Sequence, residues 1–590
     1  MRRTKIVATL GPASNTVDIC KKLICAGMDA ARINFSHGTY ESHADVINTL
    51  IQARTELNAP ISLILDTKGP EIRIKTFEAD KVYLEQGSKF TLTTKDVQGD
   101  ATQVSITYEN LPKDVAHGSR ILIDDGLIEL LVEHLTETDI ECTVVNSGFL
   151  SSKKGVNVPD VYVNLPSMTE KDIEDIKFGI QMGFDYIAAS FVRSAKDVLK
   201  IREVLEENGG THISIIAKIE SRDGVNNIDS ILEVSDGIMV ARGDLGVEIP
   251  PEEVPLVQKL LIKKANTVGK PVITATQMLE SMVSNPRPTR AEANDVANAI
   301  FDGSDCIMLS GETAKGTYPV ESVQMMARIA VKAEDSIDYR ELLQKVDRSR
   351  ENVTITNAIS RATCTSAADL NAAAIVTVTN SGFTARMIAK YKPACPVLAV
   401  SLRELVWRQL NLVWGCRSIM GKVENDTEQA VFDLAAGKAV ESNLVRNGDL
   451  IVVVAGVPVG VAGSTNIIKV QVVGDVLVRG TAHGAGAHTG QAAVIRVADE
   501  GDKLFMPDDI LVTTETNDKM MPMLRKAKAV VIGSDQPTNT LHAETACLAL
   551  QIPLIVCKER VVDLIQNGAT ITVDTTDGFV YNGAGKQGNR

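Results

Sequence analysis

Eight short β-branched runs, separated by amphipathic stretches, constrain this chain more than any other feature. They lie at 5–10, 31–36, 61–67, 186–191, 213–220, 237–243, 271–276 and 306–311. Helical periodicity fills most of the gaps, at 17–26, 43–57, 171–182, 195–207, 252–268 and 290–301. Strand–helix alternation predicts parallel strands joined by right-handed crossovers, and eight is the number that closes a barrel. An open doubly wound sheet would show the same alternation, so counting strands leaves both folds standing.

One interruption weighs between them. After Thr67 the helical period stops, and strand-like pieces follow at 81–83, 90–93, 120–123, 127–131 and 141–145, with Asp124-Asp125-Gly126 as hairpin punctuation. Helical periodicity returns near Met168. Residues 71–166 therefore read as an inserted all-β domain. What remains, 1–70 and 167–335, is about 240 residues, close to the ~250 of a typical eight-fold barrel. The expected fold class is α/β: a (β/α)8 TIM barrel carrying that lid. Beyond it, 336–474 alternate helices with strands at 374–379, 397–400 and 450–455, which predicts a three-layer α/β domain. The segment 473–490 holds Gly474, Gly480, Gly484, Gly486 and Gly490 and reads as a linker or a loop-rich entrance. Residues 475–590 form a further small α/β unit, and the polar end 582–590 is expected to fray.

Composition narrows the function classes. The chain has 590 residues with 44% hydrophobic and 23% charged, which excludes a disordered or fibrous protein. Its formal net charge of -14 argues against nucleic acid or an anionic membrane as partner. An anionic ligand would have to meet a local cluster of Lys and Arg. Nine cysteines without a CxxC pair predict reduced thiols rather than disulfides or zinc. The longest apolar run, 450–463, is broken by Gly456, Pro458 and Gly460, and no signal-like segment precedes residue 11. A cytoplasmic location is the expectation.

In an eight-fold barrel the C-terminal ends of the strands converge on one site. From the second strand to the eighth, every end here carries polar or charged groups. Lys218 and Glu220 are two apart and so share a face of their strand, with Asp244 one strand further round. As an isolated pair they would read as a buried ion pair. With Asp244 they form a half-shell of hard oxygens for Mg²⁺ or Mn²⁺ that leaves positions open for substrate. Asn34, Ser36, Asp66 and Thr67 offer weak-field oxygens suited to a monovalent cation, or else to turn capping. Arg32, Arg73, Arg193 and Lys218 would supply the basic cluster. Lys153-Lys154-Gly155, on the returning arm of the insertion, could reach over the site as a lid.

The strings themselves resemble the pyruvate kinase family. They are ARINFSHG (31–38), LDTKGPEIR (65–73), SKKGVNV (152–158), ASFVR (189–193), IAKIE (216–220), DGIMVARGDLGVE (236–248), TATQMLESMVSNPRPTRAE (274–292) and DGSDCIMLSGETAK (302–315). Residues 354–474 resemble that family's C-terminal domain more loosely. The resemblance implies a phosphotransferase of glycolysis, acting on phosphoenolpyruvate and ADP, with Mg²⁺ (or Mn²⁺) and K⁺ as cofactors and a homotetrameric assembly. It implies Lys218, Thr276 and Arg32 as catalytic residues, and Arg32, Ser190, Lys218, Gly243, Asp244 and Thr276 around the substrate. Glu220 and Asp244 would hold the divalent metal, Asn34, Ser36, Asp66 and Thr67 the K⁺. Asn34, Ser36, His37, Arg73 and Lys154 would face the nucleotide. A glutamate at the position of Glu71 goes with K⁺ dependence in that family, and a lysine there with independence. Another enolate-handling barrel enzyme would share the metal half-shell but needs no lid bearing Lys154. A dead scaffold would not need the lysine and both carboxylates.

Two further segments carry expectations. Thr377, Thr379, Ser381, Gly382 and Thr384 follow an apolar strand and enter a helical pattern, which is either a Ser/Thr helix cap or an oxyanion site. The resemblance points to the loop that holds an effector phosphate, and so to activation by a phosphorylated metabolite, a sugar phosphate or AMP. Residues 475–590 resemble the mobile domain of phosphoenolpyruvate-utilising enzymes. There the motif Thr-Ser-His-Ala-Ala is replaced by Thr540-Leu541-His542-Ala543-Glu544, which favours a structural or assembly role over phosphate transfer.

Overall fold

The computed structural model describes residues 2–345, 354–423, 427–446, 448–456, 465–474, 476–496, 504–534 and 536–583. The strands β1 (Lys5–Thr9), β2 (Ala30–Asn34), β3 (Ser62–Asp66), β4 (Tyr186–Ala189), β5 (Ser214–Ile219), β6 (Gly237–Ala241), β7 (Val272–Ala275) and β8 (Cys306–Leu309) close a barrel in unbroken chain order. Closure is parallel, Lys5 lying beside Cys306 and Ala8 beside Leu309. The two-residue period of the strands sorts their side chains. Val7, Ile64, Ile216 and Ile273 fill the interior, whereas Ile6, Ala8, Leu63 and Leu65 face the surrounding helices with Leu23, Leu50, Val198 and Leu261. Strands covered on both faces read as near-continuous apolar runs, and β1, β3, β4, β6, β7 and β8 are buried along their whole length.

Most strands stop earlier than the sequence pattern predicts, and the reason bears on the site. Beyond the last ladder bond the chain turns sharply. Phe191 and Thr276 have φ of 55° and 69°, which costs energy for residues with a Cβ. Past β6 and β8 the next residues already belong to the short helices Arg242–Glu248 and Gly311–Ala314.

Between β3 and the helix Glu170–Gln181 lies the all-β insertion. Its seven-stranded sheet runs, in order, Ile72–Arg73, Gly155–Asn157, Arg120–Ile123, Ile128–Leu135, Asp139–Val144, Lys89–Thr93 and Gln103–Ser105. Phe90, Leu92, Ile121, Leu130 and Ile140 form its separate core. The outgoing and returning arms pair with each other, Arg73 beside Gly155 and Ile72 beside Val156. Residues far apart in sequence, 71–73 and 153–157, thereby become neighbours at the insertion's neck.

The chain divides into two compact units: Met1–Cys364 with Val378–Met420 and Gly456–Asn466, and Thr365–Thr377 with Gly421–Ala455 and Ile467–Arg590. The first contains the barrel, its insertion, and the parallel pair Val397–Ser401 with Cys416–Met420. In the second, an eight-stranded sheet is built from the last part of the chain, with Ile510–Thr513 and Ala529–Gly533 central and parallel. The glycine-rich stretch, expected to be a linker or a loop-rich entrance, instead contributes strands Val476–Arg479, Thr481–His483 and Ala487–Ile495 to this sheet. Its glycines answer to close packing: a Cβ on Gly480 would lie 2.4 Å from the Val556 carbonyl oxygen. The turn expected after Gly456 and the tail expected to fray fall largely on 457–464 and 584–590, outside the described residues. Among the described residues, no helix is long and apolar enough to cross a membrane.

Candidate active site

The ends of β2 to β5 bring together a buried knot of charge. The register of β2 on β3 sets Asn34 beside Asp66. Arg32, two residues back on the same face, donates from Nε to Asp66 Oδ2 at 2.6 Å and from Nη1 to Thr9 Oγ1 at 3.1 Å. From β5, Lys218 Nζ reaches Asp66 Oδ1 at 3.1 Å, Ser190 Oγ at 2.6 Å and Glu220 Oε1 at 3.0 Å. Ser190 in turn donates to the Thr67 carbonyl at 2.6 Å and its N–H reaches Thr67 Oγ1 at 3.1 Å. The positive φ of Phe191 turns its N–H onto Glu220 Oε2 at 2.6 Å.

Burial sets the electrostatics. Asp66 and Glu220 are each 1% exposed and Lys218 8%. Burial alone would strip the proton from Lys218, but the Asp66 and Glu220 carboxylates overcome it and hold the ammonium more firmly charged than in water. Burial likewise opposes the Asp66 charge, and Arg32 with Lys218 outweighs it, so its carboxyl stays below the ordinary range. Glu220 goes the other way. Burial, assisted by the nearby Asp244 and opposed by Lys218, pushes its carboxyl up to about 7.

Around the knot, the helix Arg242–Glu248 presents Gly243 and Asp244 in its first turn. Gly243 N–H donates to Thr276 Oγ1 at 2.8 Å, and Arg242 fastens this turn by donating to the Thr276 carbonyl and to Asp295, both at 2.7 Å. Above lies a cleft of about 250 Å³ whose wall includes Glu71, Arg73, Lys154, Asp244 and Glu248. Arg73 pairs with Glu71 at 2.7 Å and donates to the Lys153 carbonyl at 2.6 Å; Lys154 pairs with Asp124 at 2.8 Å.

The donor set fits a divalent cation that keeps open positions. Asp244 stands close enough to Glu220 to disfavour the Glu220 charge, and a cation held by the two carboxylates would relieve that. Among the described residues, no cluster of three or more His, Cys, Asp or Glu forms a closed metal cage. Of the residues expected around a monovalent cation, Asn34 lies beside Asp66 in the ladder, and Asp66 already serves Arg32 and Lys218. Asn34 Oδ1 accepts the Ser36 N–H at 3.0 Å and keeps a lone pair to spare.

Comparison with known proteins matches this architecture. The family model "Pyruvate kinase, barrel domain" covers residues 1–323, "Pyruvate kinase, alpha/beta domain" 357–471, and "PEP-utilising enzyme, mobile domain" 505–578. The pyruvate kinase of Geobacillus stearothermophilus is 51% identical over 585 residues, 99% of each chain. The chain belongs to the pyruvate kinase family. It is a phosphotransferase, and members of this family generally need Mg²⁺ and K⁺. The pyruvate kinase of Staphylococcus aureus strain MRSA252 is 46% identical over 588 residues, again 99% of each chain. A crystal structure of a Cryptosporidium parvum pyruvate kinase superposes with a TM-score of 0.77 at 41% identity, covering 80% of this chain and 96% of that one.

Against the sequence expectations, Arg32, Asp66, Ser190, Lys218 and Glu220 share one buried network, Gly243, Asp244 and Thr276 form its neighbour, and Arg73 and Lys154 meet on the cleft wall. His37 is exposed. Arg193, expected among the cations awaiting an anion, has its guanidinium engaged. It donates to the carbonyls of Val163, Leu165 and Pro166 at 2.9, 2.8 and 3.1 Å. Sequence reasoning passed over Thr9, Arg242, Asn157 and Glu248. The last three lie inside strings already singled out, yet nothing in their spacing marked which side chains would meet.

The segment 377–384 is quieter. Thr379 Oγ1 accepts the Gly382 N–H at 2.9 Å, Gly382 has φ of 75°, and Thr384 Oγ1 pairs with Thr465 Oγ1 at 2.7 Å. Thr377 is buried, its hydroxyl without a partner among the described residues, and Ser381 is exposed. In the last domain, His542 stands in the first turn of the helix Leu541–Leu550, with Nδ1 2.9 Å from Thr516 Oγ1 and Nε2 3.4 Å from Asp518 Oδ1. Glu544 is tied back by Thr540 at 2.7 Å.

Proposed function

We propose that this chain transfers the phosphoryl group of phosphoenolpyruvate to ADP, giving pyruvate and ATP. The P–O bond to the enol oxygen breaks, a bond forms to a terminal β-phosphate oxygen of ADP, and the enolate left behind takes a proton at carbon. The observation that carries the reading is the Lys218 ammonium, held charged between Asp66 and Glu220 at the base of the mouth. Phosphoryl transfer asks a protein mainly for positioning and charge neutralisation.

In this reading Lys218 offsets charge on the transferring phosphoryl group and on the enolate. Arg32 holds the phosphate, Ser190 orients Lys218, and Gly243 and Thr276 seat the substrate carboxylate. Thr276 also belongs to the path that delivers the proton. Glu220 and Asp244 would hold Mg²⁺ or Mn²⁺, which when bound supplies Lewis-acid neutralisation of phosphate and enolate oxygens. Asn34, Ser36, Asp66 and Thr67 would hold K⁺. Arg73, Lys154 and the stretch from Asn34 to His37 face the nucleotide.

The same reading extends to regulation and assembly. The loop of Thr377, Thr379, Ser381, Gly382 and Thr384 takes the phosphate of an activating metabolite, a sugar phosphate or AMP, and the working form is a cytoplasmic homotetramer. The formal net charge of -14 supports partners that are small molecules rather than nucleic acid or membrane. Pyruvate formation from phosphoenolpyruvate tests the core reading, with ADP, Mg²⁺ and K⁺ omitted one at a time. Each omission should abolish turnover, and product formed without ADP would sink the assignment.

A further inference from the structure

Two contacts fix the inserted domain against the barrel mouth, and neither has a role in the chemistry above. At the first, Asn157, the last residue of the strand Gly155–Asn157, donates from Nδ2 to Glu248 Oε1 at 2.8 Å. Glu248 ends the same short helix whose first turn carries Gly243 and Asp244. Burial holds its carboxyl above the ordinary range, and Asp223, Asp244 and Asp160 push the same way, while the Asn157 hydrogen bond opposes them. Among the described residues, no Lys or Arg forms an ion pair with it, so the amide from the inserted domain is the side-chain donor it has. At the second contact, Arg193 spreads its guanidinium over the carbonyls of Val163, Leu165 and Pro166. Those carbonyls belong to the segment by which the insertion returns to the barrel, just ahead of the helix Glu170–Gln181. Asn157, Arg193 and Glu248 all line the cleft, and Lys154 lies three residues before Asn157 on the same arm.

We propose that Asn157–Glu248 is a clasp and Arg193 a hinge anchor, positioning residues that set the inserted domain over the mouth and so fix where Lys154 and Arg73 meet the nucleotide. The inference rests on the reading that those two cations face ADP. A clasp between a neutral amide and a carboxyl has a property that a direct ligand contact lacks: it can be reversed. Asn157→Asp sets two carboxyls against each other. Glu248→Gln alone still offers an oxygen to Asn157. The double exchange Asn157→Asp with Glu248→Gln rebuilds the hydrogen bond with donor and acceptor swapped.

The test is steady-state kinetics on the full-length protein, with ADP and phosphoenolpyruvate varied separately and Lys218→Met measured alongside. Asn157→Asp should raise KM for ADP about tenfold while moving kcat much less. The double exchange should return KM to within about twofold of the parent. Arg193→Lys, which cannot fork across three carbonyls, should raise KM for ADP by a smaller factor. A double exchange as impaired as Asn157→Asp overturns the clasp, as does an Asn157→Asp variant with unchanged KM for ADP. Recovery in the double exchange also shows that Asn157→Asp did not fail by misfolding. If Lys218→Met were fully active, the reading of the site would fall instead, so the two failures are separable.

Discussion

The barrel mouth and the segment 377–384 are both built where strands give way to helices, and both looked polar in the sequence, yet they resolve differently. At the mouth the groups are charged and buried. Arg32, Asp66 and Lys218 find partners only by converging from three different strands. In the segment the groups are neutral hydroxyls, and Thr379 and Thr384 are satisfied by Gly382 and by Thr465. A buried charge left alone costs several kcal/mol, so charged strand ends demand a common site. A hydroxyl costs far less and settles locally, so the same density of polar residues there supports a helix cap as readily as a phosphate site.

The sharpest way to break that contrast is to remove the charge on which the mouth depends. Lys218→Met keeps most of the stem and loses the ammonium that, in the proposed reading, offsets phosphoryl charge. Losing one such preorganised group costs ~10²-fold or more in kcat. A folded protein that still binds Mn²⁺ but scarcely turns over is the expected outcome, checked by kinetics beside Mn²⁺ titration. A variant with near-parental kcat would mean that the knot is structural, no different in kind from the hydroxyls of the loop.

A second probe concerns Glu71, which sits on the cleft wall paired with Arg73. A lysine ammonium placed there could stand where a bound K⁺ would otherwise neutralise charge. Activity should collapse in tetraalkylammonium buffer free of K⁺ and Na⁺ and return on adding K⁺. Glu71→Lys should lessen that demand several-fold, read as the ratio of rates with and without K⁺. Glu71→Gln, which removes the charge without supplying a cation, separates the two explanations. Full activity of the parent without K⁺ contradicts the idea.

How much of this was legible in the sequence follows the same division. The eight strands could be read because most are buried along their whole length and written as near-continuous apolar runs. The nearness of Lys218 and Glu220 could be read because they share a face of one strand, and that Asp66 lies at the same mouth because strand ends meet at one barrel face; that Lys218 bonds Asp66 could not. Contacts across the insertion could not. Asn157 meets Glu248 only because Ile72–Arg73 and Gly155–Asn157 pair at its neck, and no local period encodes that pairing. Arg193 looked like one more cation for an anion, since a sequence does not say whether a guanidinium will find carbonyls first. The stretch 473–490 misled for a related reason. Its glycines signalled a linker, but at Gly480 the smallest side chain is needed where a neighbouring strand presses in.

The proposed activation by a phosphorylated metabolite should give a smaller effect. Fructose 1,6-bisphosphate, ribose 5-phosphate, glucose 6-phosphate and AMP are to be titrated at sub-saturating phosphoenolpyruvate. At least one should raise the rate several-fold, and Thr379→Ala/Ser381→Ala/Thr384→Ala should abolish the response while leaving the unstimulated rate near the parent's. A response surviving the triple substitution moves the effector site elsewhere. No response to any of the four leaves this segment a helix cap.

The smallest expected effect separates the two uses of one hydroxyl. Thr384 and Thr465 are buried, and their hydroxyls pair at 2.7 Å. Thr384→Val leaves Thr465 Oγ1 buried without that partner, which costs about 1–3 kcal/mol; Thr384→Val/Thr465→Val removes both polar groups at nearly constant shape and should recover most of it. Denaturant unfolding of the single and double variants reads the difference. The same two proteins then decide what the pair is for. If the hydroxyls serve only each other, the double variant regains stability and keeps its activation by the metabolite. If Thr384 turns to an effector phosphate, the double variant regains stability and loses activation. A single variant as stable as the parent would mean that the pair contributes nothing, and the segment would then hold its form through Gly382 and the Thr379 cap alone.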